Sequence, residues 1–522
     1  MSFLNRESAA RSGRISWLVR GMLLVFFLWL AGRYWNPYHG FTKLLQFEPA
    51  TAATMLPALR AAPIYVHRDG GGYDGQFYAQ LAASPALRDP GLPAAIDNLG
   101  YRARRMLLSW TAWVVGLGDP VAAVRAYAWL NLALWFALAA VLWRLFPVGE
   151  WCATVAWAGL LFAAGTLHSV RFALTDLTAV LLIAGALCQL ERGGNKFALV
   201  SLSLSALARE TSVLAAAALL PEKTASRGDW WRAAARGLLI LLPLLGWMIY
   251  LQTTVGWPAA GQRNFSWPLV GLAEKWCEAV IGLELESDPW LAISGLLVPL
   301  ALTVQLLYLV IRPRPNDPWW RLGAAYAVLL LFLGPAVWVG TSGAAARVLL
   351  PLTLAFNVLG VRARAGALWL ILGNLTVLNG ILSLWTVPYN PGDLTTRWTW
   401  NHDYLLETDR RWYTTESRHA VRWAWCSQDG RLILRSWPQQ DRVKVQLHLQ
   451  GFTARDLEIR HRGKIVWQGQ LGNRLQWVQL PELPAENGIL ILELHSNTPP
   501  HSGGPQSDGR ELGFVCYGFK LE

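Results

Sequence analysis

An acidic residue and a cluster of arginines share one polar stretch after the first apolar segment of the chain. Asp74 lies among aromatic and amide side chains in residues 73–78, and the basic run at 101–105 follows it. A carboxylate can take the proton of a hydroxyl group, and guanidinium groups can hold a phosphate. This combination predicts chemistry on a lipid-linked phosphate, although Asp74-Gly75 is also an ordinary turn sequence.

The candidate site has one catalytic residue and a larger set of binding residues. Asp74 is the candidate general base. The candidate substrate-binding residues are Tyr73, Gln76, Tyr78, Arg102, Arg104, Arg105, Arg171, Asp176, Arg209, Glu210 and Arg347.

Composition places these residues in a membrane protein. Of the 522 residues 53% are hydrophobic and only 15% are charged, and 30 are Trp, which is typical of a polytopic protein with aromatic residues at the membrane interfaces. The net charge is +12, but most arginines flank apolar segments, so they indicate membrane orientation and not nucleic-acid binding.

Apolar stretches of spanning length recur along the chain. They lie near 15–32, 123–146, 151–167, 173–190, 236–254, 290–311, 321–338, 347–361 and 366–386. Basic residues precede 15–32 and no small-residue cleavage site follows it, so we expect an uncleaved anchor with a cytoplasmic N-terminus. The connection 33–122 is then a large external loop, with an interfacial helix at 106–118.

One further apolar region, 197–220, has basic residues on both sides. The positive-inside rule places both flanks in the cytoplasm, so the region must enter the membrane and return as two short helices. Arg209-Glu210 is then an external turn. The total is about eleven transmembrane helices, in a domain covering residues 1–387.

The charged groups that are costly to place at membrane depth all lie on the external side in this topology. His168, Arg171, Asp176 and Arg347 join the first loop and the turn at 209–210 on the external face. Charged residues at membrane depth are usually functional, so a shared external polar cavity is expected. Each residue has a plainer interpretation: an interfacial anchor for Arg171, a helix cap for Asp176, a snorkelling side chain for Arg347, and a self-neutralising pair at the turn.

Residues 388–522 are more polar and predict an external β-sandwich. Alternating segments at 431–434, 443–449 and 488–494 are typical of half-buried strands. Cys426 and Cys516 fall in the apparent first and last strands, which predicts either a disulfide in an oxidising compartment or two isolated core cysteines.

The ordered set of motifs resembles the integral-membrane glycosyltransferases of the C superfamily, which use polyprenyl-phosphate sugars. The segments that carry the resemblance are YDGQFY at 73–78, YRARR at 101–105, RFALTD at 171–176, LARET at 207–211, RVLLPL at 347–352 and, as in bacterial members with an appended β-domain, 508–514 with 518–521. The resemblance covers the membrane part and implies a multi-pass protein of a bacterial inner membrane, with the C-terminal domain periplasmic.

The resemblance implies transfer of a sugar from a polyprenyl-phosphate donor to a glycan, lipid or protein acceptor at the external face of the lipid bilayer. Asp74 is then the general base and the arginines hold the donor phosphate. Members with an acidic pair can bind a divalent metal, whereas Gly75 follows Asp74 here, so no cofactor is assigned and a metal stays an open alternative. A lipid-linked saccharide transporter and a non-catalytic glycan-binding assembly protein are the other two hypotheses.

Overall fold

The computed structural model describes residues 3–68, 71–222, 225–256, 263–286, 288–340, 343–388, 390, 392–418, 421–502 and 509–521. The chain divides into two compact units. The first, helical unit comprises Met1–Tyr34, Leu44–Leu59 and Gly72–Val387. The second, β-rich unit comprises Trp35–Lys43, Arg60–Gly71 and Pro388–Glu522, so it includes two segments of the long loop as well as the C-terminal part.

The helices are numbered in chain order. They are α1 Phe3–Gly32, α2 Pro49–Ala53, α3 Gly75–Ala83, α4 Leu92–Ala95, α5 Leu99–Arg102, α6 Leu107–Val115, α7 Pro120–Leu145, α8 Trp151–Leu161, α9 Ala164–Arg171, α10 Asp176–Leu190, α11 Asn195–Ala208, α12 Arg227–Thr254, α13 Val270–Leu285, α14 Pro289–Ile311, α15 Pro318–Phe332, α16 Pro335–Trp338, α17 Gly343–Val348, α18 Leu350–Arg362, α19 Ala367–Gly373 and α20 Thr376–Trp385. Short 3-10 segments occupy Thr42–Leu45, Pro57–Leu59 and Glu210–Leu219.

Several helices are long and apolar enough to cross a membrane. Five pass by length and composition among the described residues: Gly13–Gly32, Pro120–Leu145, Trp151–Arg171, Arg227–Thr254 and Pro289–Ile311. The pair α19 and α20, bent by 42°, makes a sixth if it is one span. The predicted helical membrane part is confirmed. Five or six described helices reach spanning length where about eleven spans are predicted, because several apolar segments form helices of only 10–17 residues. Helix α13 was not predicted.

Local sequence explains where several of the long helices begin. In three of them an Asp accepts a hydrogen bond from a backbone N–H of the first turn, while the next residue is Pro, whose missing N–H would have no partner there anyway. These pairs are Asp119-Pro120, Asp288-Pro289 and Asp317-Pro318.

The break predicted within 197–220 is present. Helix α11 ends at Ala208, Arg209 has extended backbone angles (φ −154°, ψ 124°), and a 3-10 segment follows from Glu210. The backbone therefore turns at the two charged residues. A helix, α6, also forms where the interfacial helix is predicted.

The β unit is an antiparallel sandwich. Its strands are β1 Asp393–Trp398, β2 Asp403–Thr408, β3 Glu416–Arg418, β4 Val421–Cys426, β5 Asp429–Trp437, β6 Arg442–Val443, β7 Val445–Gly451, β8 Arg455–His461, β9 Lys464–Leu471, β10 Gln476–Gln479, β11 Leu483–Pro484, β12 Ile489–His495, β13 His501–Ser502, β14 Glu511–Leu512 and β15 Phe514–Leu521. One sheet has the order β1-β2-β5-β12-β8-β9 and the other β10-β7-β15-β4-β3. Strand β7 alternates buried and half-buried residues, as its sequence predicts.

The predicted disulfide between Cys426 and Cys516 is wrong. Strands β4 and β15 are neighbours, as expected, but the register places Phe514 opposite Cys426 and Ala424 opposite Cys516. The two thiols are free, and each donates a weak hydrogen bond to a nearby backbone carbonyl, that of Asp429 for Cys426 and that of Gly518 for Cys516. Nor is β4 the first strand, because β1 to β3 precede it. Burial raises the pKa of both thiols to about 12.

Candidate functional site

Asp74 is positioned by a close contact between the first loop and the segment after α9. It immediately precedes α3, and a Cβ on the next residue, Gly75, would lie only 2.3 Å from the carbonyl oxygen of Phe172. The ring of Tyr73 stacks on that of Phe172, with 4.4 Å between centroids. Only glycine permits this approach, which brings the predicted base to the segment that carries Arg171 and Asp176.

Small residues bring the late basic motif to the same place. A Cβ on Gly343 would lie 2.6 Å from Nδ1 of His168, and one on Gly165 would lie 2.4 Å from the carbonyl oxygen of Ala346. Helices α9 and α17 therefore meet almost backbone to backbone, as small residues allow in helix pairs. Arg347, which follows Ala346 in the chain, is buried at this contact.

Asp74 shares Arg102 with a second carboxylate. Oδ2 of Asp74 lies 2.7 Å from Nη1 of Arg102, and Oδ2 of Asp97 lies 2.7 Å from Nη2. The Asp74 side chain is 27% exposed, so it is accessible to a substrate. Burial lowers the pKa of Arg102, but hydrogen bonding to Asp97 and the charge of Asp74 outweigh it and raise that pKa. Arg102 is therefore fully ionised and already paired.

Arg105 and Glu210 form the second ion pair. Nε and Nη2 of Arg105 donate to the two carboxylate oxygens of Glu210 at 2.8 and 2.7 Å, in a bidentate arrangement. The remaining Nη1 donates to the hydroxyl of Tyr78 at 3.0 Å, and Nη2 also donates to that of Tyr101 at 3.3 Å. The pair joins the first loop to the turn after α11, and the self-neutralising Arg209-Glu210 pair proposed from sequence does not form.

Asp176 lies at the centre of the third group of ion pairs. It forms ion pairs with Arg209 and with Arg347, whose Nη1 lies 3.5 Å from Oδ2. Nη2 of Arg347 donates to the hydroxyl of Tyr73 at 3.1 Å. Only 8% of Arg347 is exposed, so it does not snorkel to an interface. Because Tyr73 adjoins Asp74, this group is continuous with the predicted base.

Two arginines remain without a carboxylate. Among the described residues no acidic group lies within ion-pair distance of Arg104 or Arg171, and each has a buried nitrogen without a hydrogen-bond partner. The guanidinium carbon of Arg171 lies 5.1 Å and 5.0 Å from the ring centroids of Tyr34 and Phe172, and that of Arg104 lies 5.5 Å from the Tyr101 ring. Aromatic faces compensate a buried cation only in part.

The connected contacts thus contain more positive than negative charge. The cations are Arg102, Arg104, Arg105, Arg171, Arg209 and Arg347, and the anions are Asp74, Asp97, Asp176 and Glu210. Burying an uncompensated charge is costly unless a partner arrives. The two surplus positive charges match the two negative charges of a phosphate monoester.

Sequence reasoning found most of this cluster and missed two residues. Asp97 was overlooked, although it stands five positions before the arginine that it binds. Tyr101 lies under the guanidinium groups of all three arginines of the run, at 5.2–5.5 Å. Gln76 instead organises the loop, because its Oε1 accepts from the backbone N–H of Glu48 at 3.1 Å and its side chain is buried.

In the described part of the chain, no three His, Cys, Asp or Glu residues are arranged to hold a metal ion. The carboxylates of the cluster are instead separated by arginines. Guanidinium groups arranged in this way can hold a phosphate.

Comparisons with known proteins add little. No protein-family model matches the sequence, and no curated protein matches it. Arabinosyltransferase EmbB from Mycobacterium smegmatis, solved by single-particle cryo-electron microscopy, aligns with 80% of this chain and 58% of its own at 12% identity and a TM-score of 0.21. The chain thus spans under two thirds of that protein, and so weak a likeness carries no argument.

Proposed function

We propose that this protein is a membrane glycosyltransferase that moves a sugar from a polyprenyl-phosphate donor to an acceptor at the external face of the membrane. The surplus of positive charge, buried at Arg171 and half-buried at Arg104, lies beside an accessible carboxylate and supports it. Arg104 and Arg171 need an anion, whereas Asp74 is 27% exposed, pairs with Arg102 and adjoins the residue that contacts Phe172. A donor with a phosphate and an acceptor with a hydroxyl satisfy both requirements.

The chemical step assigns a role to each group. The carboxylate of Asp74 takes the proton of the acceptor hydroxyl while that oxygen attacks the anomeric carbon of the sugar. The bond between the anomeric carbon and the phosphate oxygen breaks, and the oxygen keeps the electron pair as polyprenyl phosphate. Arg104 and Arg171 stabilise the negative charge that develops on this leaving group.

The paired residues position these groups. Arg102 holds Oδ2 of Asp74, and no described group bonds to Oδ1, which leaves this oxygen for the acceptor hydroxyl. Glu210 and Asp176 fix Arg105, Arg209 and Arg347 in place. Rigid positioning of this kind lowers the reorganisation that the transfer step requires.

The test is transfer of radiolabel from a panel of polyprenyl-phosphate pentoses and hexoses by protein in nanodiscs. Asp74→Asn removes the base but keeps the shape, so we expect turnover to fall by about 10²–10⁴-fold with donor binding retained. Asp97→Asn is the matched control, since it removes the other carboxylate on Arg102 and leaves the base, and it should lose less than about tenfold.

Two results would contradict the proposal. Normal transfer by Asp74→Asn would show that Asp74 is not the general base. Equal losses in both variants would mean that Asp74 acts only by holding Arg102. A transporter predicts export of an intact lipid-linked saccharide with no transfer by the wild type, and a non-catalytic assembly protein predicts neither activity.

A further inference from the structure

The β unit contains a polar cavity that the transfer reaction does not use. Its volume is about 440 Å³. Two loop segments of this unit, Trp35–Lys43 and Arg60–Gly71, form one side, and residues of β1, β2, β5 and the start of β12 form the other. Ligand cavities span roughly 300–1,000 Å³, so this one suits a small molecule or the end group of a larger one.

The floor of the cavity is buried and rich in hydrogen-bond acceptors. Glu407, whose side chain is only 4% exposed, is held between Arg68 and Arg435, with 2.5 Å between Nε of Arg435 and Oε2. Asp393 is buried beside it. His39 is 6% exposed, and its Nδ1 has no hydrogen-bond partner among the described residues.

These floor groups can accept hydrogen bonds from a ligand. Carboxylates accept hydrogen bonds and do not donate while ionised. Burial lowers the pKa of His39 to about 3, so its ring is neutral and one nitrogen is an acceptor. Several hydroxyl groups on one ligand would supply donors at such a floor.

The mouth of the cavity is basic. The side chains of Arg68 and Arg435 are 43% and 36% exposed although both contact Glu407, and Arg60 and Gln439 are exposed at the same opening. A guanidinium that binds one carboxylate by one nitrogen keeps other N–H groups for a second anion. The mouth therefore favours a carboxylate or a phosphate.

We infer that this cavity binds the end group of an anionic saccharide, with its hydroxyl groups on the acceptors of the floor and its acidic group on the arginines of the mouth. A neutral sugar satisfies only the floor, and a simple anion satisfies only the mouth. The inference goes beyond the proposed transfer reaction and does not depend on it, because binding is measured without any donor.

The experiment uses the full chain in nanodiscs and measures binding of four probes by calorimetry. Methyl glucuronide and glucose 6-phosphate carry both features, methyl glucoside lacks the anion, and inorganic phosphate lacks the sugar. The variants are Arg60→Gln and Arg68→Gln at the mouth. Arg442→Gln is the matched control, an exposed arginine of the same unit that pairs with Glu482 and does not line the cavity.

We expect at least one anionic sugar to bind about tenfold or more tightly than methyl glucoside and than inorganic phosphate, and the tighter of the two anionic sugars identifies the acidic group. Arg60→Gln should weaken it about tenfold with an unchanged unfolding midpoint, while Arg442→Gln binds as the wild type does. Equal binding of methyl glucoside, or phosphate binding as tightly as glucose 6-phosphate, would overturn the inference. So would wild-type affinity in both mouth variants.

Discussion

The buried carboxyl group of Asp393 makes a quantitative prediction about the stability of the β unit. Burial raises its pKa from 3.8 to about 7, and the nearby charge of Glu407 adds to this effect, while Arg68, Lys43 and Arg422 oppose it. Between pH 3.8 and about pH 7, the folded unit therefore keeps a proton that the unfolded chain has already released. Stability from this group is fully present below pH 3.8 and is lost as the pH rises through about 7.

The size of the effect follows from the shift. One pKa unit corresponds to about 1.4 kcal/mol, so the charged carboxylate disfavours folding by about 4 kcal/mol well above pH 7. Asp393→Asn removes this titration. The free energy of unfolding of the variant, relative to the wild type, should therefore increase by about 3 kcal/mol between roughly pH 5 and pH 8.

The assay uses the two buried thiols of the unit as a local probe. Cys152, Cys188 and Cys277 are replaced by Ala, so that only Cys426 and Cys516 remain. The full chain is equilibrated in urea at each pH, and a short pulse of thiol reagent at one fixed pH then measures the fraction unfolded.

The control separates this residue from general effects of pH. Asp456 is exposed in β8 of the same unit, so Asp456→Asn is the matched control for removing a carboxyl group. If the difference in the free energy of unfolding between Asp393→Asn and the wild type does not change with pH, the reasoning is refuted, because the carboxyl group would then have the same pKa in the folded and unfolded states. If this difference changes with pH in the opposite direction, the basic neighbours of Asp393 outweigh burial and lower its pKa.

Three more predictions concern the helical unit. Arg104→Lys should raise the apparent donor KM and lower kcat, because lysine cannot bind a phosphate through two parallel N–H groups, and Arg171→Lys should do the same. Glu210→Gln should destabilise the unit by about 3–5 kcal/mol in urea unfolding, since it leaves a buried guanidinium unpaired. A cysteine at Thr211 should react with an impermeant thiol reagent added outside, or be protected by donor, and one at Ser226 only after permeabilisation.

Each of these has a result that would contradict it. Wild-type kinetics in both lysine variants would show that neither arginine is a bidentate phosphate ligand. Glu482→Gln removes an exposed pair and should cost at most about 1 kcal/mol, so an equally small loss for Glu210→Gln would argue against a buried pair. Reversed labelling of the two cysteines would overturn the topology and the single-sided site.

The sequence by itself determined the local structure and the list of charged groups. Apolar stretches of spanning length predict most of the long helices, and Asp-Pro pairs start three helices. The charges at Arg209 and Glu210 interrupt one apolar segment where the helix breaks. Alternation predicts strands such as β7. These features depend on backbone geometry and on neighbours a few residues away, so they can be read along the chain.

The tertiary structure alone decided which charges neutralise each other. Arg102 binds Asp97 and Asp74, and Arg105 binds Glu210 across 105 positions. Among the described arginines of this cluster, Arg104 and Arg171 are left without a carboxylate.

The same holds for the cysteines and the cavity. A two-residue offset in the register of β4 and β15 separates Cys426 from Cys516, and two segments of the first loop complete the β unit. Ion pairs, register and cavities depend on distances between residues far apart in sequence. Packing fixes these distances, and no local pattern of residues encodes them.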